Sequence, residues 1–203
     1  MFTGIIKKVS RVERISERKG SLFVEVSKPA GWKIKLGESI SINGVCSTVK
    51  TIGINTFLVE YMPETIKKTT AGSFQKGSLV NLEKSLKIND LLDGHIVQGH
   101  VDTTGKITDI KKAGQSIVMK ITASERYLAL IADKGSVTID GISLTVVDTG
   151  RSWFTVSLVD HTLKNTNLGG LETGDRVNIE TDVLAKYIDK LLRSQKNAKR
   201  KKQ

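Results

Sequence analysis

The chain has 203 residues, 38% of them hydrophobic and 26% charged, a composition that can bury a core as one domain or two small ones. No apolar run approaches the ~18 residues of a membrane-spanning helix, and the opening MFTGIIKKVSRVERI lacks a basic-then-apolar leader pattern. The single cysteine, Cys46, excludes an intrachain disulfide and, with no export signal, makes a reducing cytoplasm the expected location. The formal charge of +11 is concentrated at the end: the last eleven residues, RSQKNAKRKKQ, hold six Lys or Arg and no acid. The body is therefore only mildly basic, and with aromatics at 5% it lacks the stacking surface of a nucleic-acid platform.

In chain order, short alternating runs come first: the N-terminal stretch, then SLFVEVS, SISINGVCSTV and TFLVEYM, separated by Gly, Asn and Asp. These read as strands. Asn43-Gly44 is a strong signal for a two-residue hairpin turn, because both turn residues must adopt positive φ. The turn predicts the cross-strand pairs Ile42–Val45, Ser41–Cys46, Ile40–Ser47 and Ser39–Thr48. Alternation then puts Ser39, Ser41, Cys46 and Thr48 on one face and Ile40, Ile42, Val45, Ser47 and Val49 on the other. Ser47 stands alone on that apolar face. The stretch PETIKKTT is expected to form a single helical turn before VNLE at Val80–Glu83.

The same pattern then repeats. Ser39–Glu83 aligns with Ser136–Glu180 at a constant offset of 97, with 16 identities in 45 positions and no gap. Thr3-Gly4-Ile5-Ile6 falls on Gln98-Gly99-His100-Val101 at an offset of 95. A period this long means a duplicated domain rather than a solenoid. The second hairpin, SVTIDGISLTV, has the polar face Ser136, Thr138, Ser143 and Thr145, with Leu144 where the first copy has Ser47. Two patches of small polar side chains at equivalent turns point to two related pockets, one carrying a thiol and the other a hydroxyl.

Between the copies, DGHIVQGHVDTTG holds His95 and His100. No metal-ligand spacing accompanies them, whereas one histidine suits general acid–base work. After Glu180, DVLAKYIDKLLRSQK places Val183, Leu184, Tyr187, Ile188, Leu191 and Leu192 on one helical face that needs a partner surface. The expected organisation is a first barrel over 1–95, a second over 96–182, a helix over 183–195 and a disordered basic tail over 196–203.

MFTGII at the start, INGVCSTV, DGHIVQGHVD and GSVTIDGISLTV, together with the duplication, resemble the α-chain type of riboflavin synthase over residues 1 to about 187. The resemblance implies an all-β fold of two tandem, similar six-stranded Greek-key barrels plus a C-terminal α-helix that helps build a homotrimer. It implies a transferase that dismutates two molecules of 6,7-dimethyl-8-ribityllumazine into riboflavin and 5-amino-6-(D-ribitylamino)uracil, with no cofactor and no metal. Lumazine synthase is an implied partner, and each productive site pairs the first barrel of one subunit with the second barrel of a neighbour.

By the same resemblance, Gly4, Ile5 and Ile6, then Cys46, Ser47 and Thr48, then Glu60, Tyr61, Met62, Pro63, Glu64 and Thr65 match substrate-binding segments of the first unit. In the second unit the matches are Gly99, His100 and Val101; Lys134; Ser143, Leu144 and Thr145; and Val159, Asp160, His161, Thr162, Leu163 and Lys164. Cys46 is the implied nucleophile or proton carrier and His100 the general acid–base. Ser143 and Thr145 orient the ring, and Ser41 and Asp140 are further catalytic positions. Ser47 stands where leucine is usual, and Asp160 where proline is common. Two other readings come from different classes: a non-catalytic lumazine- or flavin-binding protein of the same fold, and a nucleic-acid-binding module that uses the basic tail.

Overall fold

The computed structural model describes residues 1–114 and 116–200, the last five of these by backbone alone. The first half forms β1 (Lys8–Arg18), β2 (Ser21–Ser27), β3 (Ser39–Ile42), β4 (Val45–Ile52), β5 (Thr56–Tyr61), α1 (Pro63–Lys68), a 3-10 turn (Thr70–Ser73) and β6 (Leu79–Lys84). The second repeats it with β7 (Thr103–Ala113), β8 (Ser116–Thr122), α2 (Glu125–Leu128), β9 (Ser136–Ile139), β10 (Ile142–Thr149), β11 (Trp153–Leu158), α3 (Asp160–Asn165), a 3-10 turn (Asn167–Gly170) and β12 (Arg176–Thr181). Each set closes into a six-stranded barrel of the same cyclic order, β1-β2-β5-β4-β3-β6 and its counterpart β7-β8-β11-β10-β9-β12. The long strands bend to close the ring at equivalent β-bulges, Val12/Arg14 with Ile107/Asp109 and Val49/Thr51 with Val146/Asp148.

The hairpin register is the one its turn dictates: Ser39 pairs with Thr48, Ile40 with Ser47, Ser41 with Cys46 and Ile42 with Val45. Asn43 and Gly44 have φ of 46° and 79°, and Asp140 and Gly141 have 45° and 81°. The inward faces build one apolar cluster per barrel, with Phe57 and Phe154 fully buried at matching positions. Ser47, the polar exception on its face, is satisfied inside the core. Its hydroxyl donates to Val45 O at 2.9 Å and lies 2.8 Å from the Tyr61 hydroxyl. The equivalent pair in the second barrel is Leu144 and Leu158, both buried. A hydrogen-bonded Ser–Tyr pair thus fills the space that two leucines fill in the other copy.

The segments leading into the two barrels are exchanged. The N–H of Ser143 donates to Gly4 O and that of Cys46 to Gly99 O, both at 2.8 Å. Phe2 and Val97 form an antiparallel bridge between the two segments. Ile6 packs on the core of the second barrel, and Val101 on that of the first. Glycine is required at both crossings: a Cβ on Gly4 would stand 2.6 Å from Ser143 Cβ, and one on Gly99 2.7 Å from Cys46 Cβ.

A polar knot on the pseudo-twofold axis joins the barrels. Asn43 Oδ1 accepts the Asn81 N–H, and Asp140 Oδ1 the Asn178 N–H, each at 2.7 Å. Asn178 Nδ2 donates across to Asn43 O and Asn81 Nδ2 to Asp140 O. Gly44 and Gly141 face each other so closely that either Cβ would meet the other's nitrogen at 2.7 Å.

α4 (Val183–Arg200) runs past the expected end at residue 195, and residues 201–203 of the expected tail lie outside the described ones. Its start is tied down by an ion pair from Lys186 to Asp102 at 2.8 Å. Leu184, Tyr187, Ile188, Leu191 and Leu192 are all more than half exposed, so the stripe seen in the sequence faces away from this chain's own barrels. No described helix is long and apolar enough to cross a membrane.

Candidate functional site

The exchanged segment of the second copy turns the polar hairpin face of the first barrel into one wall of a pocket. In the first barrel, a cavity of about 260 Å³ is lined by Cys46 and Val45 of β4, by Gly99, His100 and Val101 of the second copy's leading segment, and by Glu64, Thr65, Lys68 and Thr69 around α1. Cys46, Glu64, Thr65, Gly99, His100 and Val101 were all expected at a site from the sequence, and the fold brings them together. Thr48 continues the same face into solvent. Glu64 and Lys68 form an exposed ion pair at 2.8 Å on the pocket wall.

The second barrel repeats the arrangement with different chemistry. Ser143 lies under Gly4, as Cys46 lies under Gly99. By the repeat alignment Ile5 replaces His100, His161 replaces Glu64 and Asn165 replaces Lys68. The first pocket therefore carries a thiol, His100 and an ion pair, and the equivalent face of the second barrel a hydroxyl, with His161 and Asn165 at the positions of the ion pair. Thr145 extends the second face, exposed like Thr48. Lys134 adopts φ of 63° where the first copy has Gly37 at 76°. A lysine held in the left-handed region costs about 1 kcal/mol relative to glycine, and its Nζ donates to Val147 O at 3.3 Å.

Several expected residues stand elsewhere. Ser47 and Tyr61 face the core of the first barrel and Leu144 that of the second, because alternation turns them away from the pocket. Leu163 likewise packs against the second barrel's core. Glu60 faces outward in an ion pair with Lys50. Met62 and Val159 are exposed at the positions just before α1 and α3, Pro63 opens α1, and Asp160 pairs with Lys164 at 2.7 Å on the outer side of α3. Ser41 and Asp140 are not in the Cys46 pocket. Ser41 is sealed against the other barrel beside Gly141. Asp140 is a member of the polar knot, its Oδ2 accepting from Asn167 Nδ2 at 2.8 Å. Burial pushes the Asp140 carboxyl up to about 6, against the opposing pull of its bonds to Asn178 and Asn167.

Sequence reasoning missed three groups. Glu83 accepts the Thr3 N–H and hydroxyl at 2.7 Å through Oε1 and the Gly4 N–H at 3.0 Å through Oε2. Glu180 does the same for Gln98 and Gly99 at 2.8 and 3.0 Å. Each buried carboxylate thus clamps the exchanged segment that crosses the opposite barrel's hairpin. Burial raises the pKa of both above the ordinary carboxylate value, and these bonds work against it. The VNLE and VNIE endings of the repeat were their signal. His95 is the third: it lies against Ser143, with Nδ1 to Oγ at 2.7 Å.

Both halves match the family model described as the lumazine binding domain, over residues 3–85 and 98–182. Among curated relatives, the chain is 42% identical to a riboflavin synthase of Actinobacillus pleuropneumoniae, covering 95% of this chain and 90% of that protein. It is 40% identical to one of Brucella abortus (strain 2308), covering 97% and 100%. With one of Bacillus subtilis (strain 168) the identity is 37%, covering 95% and 90%. Among solved structures, LumP in complex with riboflavin superimposes with a TM-score of 0.83 at 22% identity, over 89% of this chain and 99% of that one. LumP in complex with 6,7-dimethyl-8-(1'-D-ribityl) lumazine gives 0.81 at 21%, with the same coverage. At that identity the likeness is one of fold.

Proposed function

The chain belongs to the riboflavin synthase family of tandem lumazine-binding domains, and on that premise we propose that it moves a four-carbon unit between two molecules of 6,7-dimethyl-8-ribityllumazine. The products are riboflavin and 5-amino-6-(D-ribitylamino)uracil. One observation carries the reading: two polar hairpin faces of one design, each crossed by the other copy's leading segment but bearing different reactive groups, the first of them lining a pocket. Donor and acceptor are the same compound, so duplicated pockets suit them. Their roles differ, so the linings differ.

The chemistry asks little beyond placement and proton handling. The 7-methyl group of the substrate is acidic because its carbanion spreads into the heterocycle, and one ring loses the carbons that the other gains. Holding two rings face to face supplies much of the rate. Cys46, beside His100 in the first pocket, acts as nucleophile or proton carrier, and His100 acts as the acid–base. Ser143 and Thr145 orient the ring on the second barrel's polar face, helped by Lys134.

One chain does not place its own two pockets together for reaction in this reading. The productive site pairs the first barrel of one subunit with the second barrel of its neighbour in a homotrimer, built on the exposed apolar stripe of α4. The protein works in the cytoplasm, with lumazine synthase as a partner that supplies the substrate. Purified chain mixed with the lumazine alone yields riboflavin fluorescence. Tight lumazine binding with no riboflavin formed would instead make it a binding protein of the same fold.

A further inference from the structure

At the polar knot the two barrels leave a cleft of about 580 Å³ that shares no lining residue with the Cys46 pocket. The two 3-10 turns and the starts of β6 and β12 form its walls. The lining residues, Gly174 apart, pair off at the repeat offset of 97, so the pseudo-twofold axis passes through the cleft. Their chemistry does not repeat. Where the first copy has Ser73 and Ser78, the second has Gly170 and Asp175; where the first has Phe74 and Leu79, the second has Leu171 and Arg176.

The buried lining residues make its floor, which is closed in one copy and open in the other. In the second copy Asn167 Nδ2 donates to Asp140 Oδ2 at 2.8 Å. The equivalent residues of the first copy are Asn43 and Thr70. A backbone N–H can only donate, so the Asn81 N–H at 2.7 Å fixes Asn43 Oδ1 toward itself and leaves Nδ2 to the cleft. Thr70 is shorter than asparagine and makes no bond to that amide. It is 9% exposed, and its Oγ1 is buried without a partner. Buried polar groups are normally paired, so Asn43 Nδ2 and Thr70 mark a gap that the described residues do not fill.

The walls above this gap offer both senses of hydrogen bond. Ser73 Oγ donates to Thr70 O at 2.8 Å, which leaves its lone pairs to accept from an occupant. Ser78 Oγ accepts the Gln75 N–H at 2.9 Å, which leaves its own proton to donate. Phe74, Leu79 and Leu171 add apolar surface. An anion here would meet the carboxylates of Asp140 and Asp175, and a cation would meet Arg176 and the Asn43 amide donor. A hydroxyl can accept from the amide and donate to a serine, and a chain of hydroxyls keeps C–H faces for the apolar residues. We propose that the cleft is a second small-molecule site, which takes a neutral polyhydroxylated chain through Asn43 Nδ2, Ser73 and Ser78. The site does not depend on the proposed function, although the ribityl chains of the lumazine and of riboflavin belong to the same class of ligand.

D-Ribitol titrated into the full chain, with the Asn43 side-chain amide followed by heteronuclear NMR, tests the site. The expected result is a saturable shift of that amide at millimolar ribitol or below, with the His100 signals of the Cys46 pocket unmoved. Gly170→Phe plugs the cleft, since a Cβ on Gly170 would meet nothing within 4 Å and its backbone lies outside the left-handed region. That variant should lose the ribitol shift outright while the rest of its spectrum keeps the parent's dispersion. D-Ribonate, the same chain ending in a carboxylate, should bind about tenfold more weakly than ribitol. Riboflavin identifies the source: movement of Asn43 together with His100 shows that a ribityl chain suffices, and movement of His100 alone leaves the free polyol as the occupant. No shift of Asn43 with ribitol, or an unsaturable drift across the whole spectrum, as given by a polyol excluded from the surface, would overturn the proposal. So would a shift centred on the Cys46 pocket, a shift retained in Gly170→Phe, or ribonate binding as tightly as ribitol. Were Gly170→Phe not to fold, the titrations of the parent chain decide between these outcomes by themselves. A chain that forms no riboflavin refutes the proposed function and leaves the ribitol titration unaffected.

Discussion

Gly99→Ala measures the exchange of leading segments directly. Gly99 has φ of 77°, and its added Cβ would meet Cys46 Cβ at 2.7 Å, Cys46 N at 2.8 Å and Cys46 Cα at 3.0 Å. The left-handed backbone costs alanine about 1–2 kcal/mol, and forcing a methyl into packed backbone adds about 1–3 kcal/mol. Gly31→Ala isolates the first contribution, since Gly31 has φ of 78° and a Cβ there would meet nothing within 4 Å. Urea unfolding should therefore show Gly99→Ala less stable than Gly31→Ala by about 1–3 kcal/mol. Only Gly99→Ala should also weaken lumazine binding, because the collision lifts the segment that floors the first pocket. Equal losses in the two variants would refute the idea that Gly99 sits against Cys46.

Other expectations concern the knot, the clamps and the core. Asp140 has its carboxyl raised from 3.8 to about 6 in the folded chain, so ionising it opposes folding. Its neutral form favours the fold below about pH 4, and that advantage is lost as the pH rises through about 6, by roughly 3 kcal/mol in all. Asp140→Asn should flatten this part of the stability–pH curve; a slope identical to the parent's would contradict the burial argument. Glu180→Gln keeps the shape but turns an acceptor into a donor facing an amide N–H, and should cost about 1–3 kcal/mol in unfolding experiments while lowering turnover. Ser47→Leu alone strands the Tyr61 hydroxyl, whereas Ser47→Leu with Tyr61→Leu rebuilds the pair used by the second barrel. The double variant should recover at least about 1 kcal/mol relative to the summed single losses.

The hairpins were legible because their information is local. Asn-Gly and Asp-Gly fix the turn, the turn fixes the register, and alternation assigns each side chain to a face. The same reasoning puts Cys46 and Ser143 on the polar faces and turns Ser47 and Leu144 into the core, where the family likeness had counted them as binding residues; Tyr61, counted likewise, is placed in the core only by the structure. What lay beyond reach was the contact between copies. Ser41 and Asp140 look available on a single hairpin, and only the opposing barrel buries them. Glu83 and Glu180 look like ordinary strand ends until the exchanged segments arrive to be clamped. His95 lies 48 residues before Ser143, a separation that no local pattern spans. The apolar stripe of α4 was plain from its spacing, and its exposure on this chain was not.

The product balance tests the central claim most directly. Purified chain is given the lumazine as its only other reactant, and riboflavin and 5-amino-6-(D-ribitylamino)uracil are quantified as the lumazine disappears. The account predicts equal amounts of the two products, one of each for every two lumazines consumed. Riboflavin formed without the matching pyrimidine, or lumazine bound and returned unchanged, would contradict it.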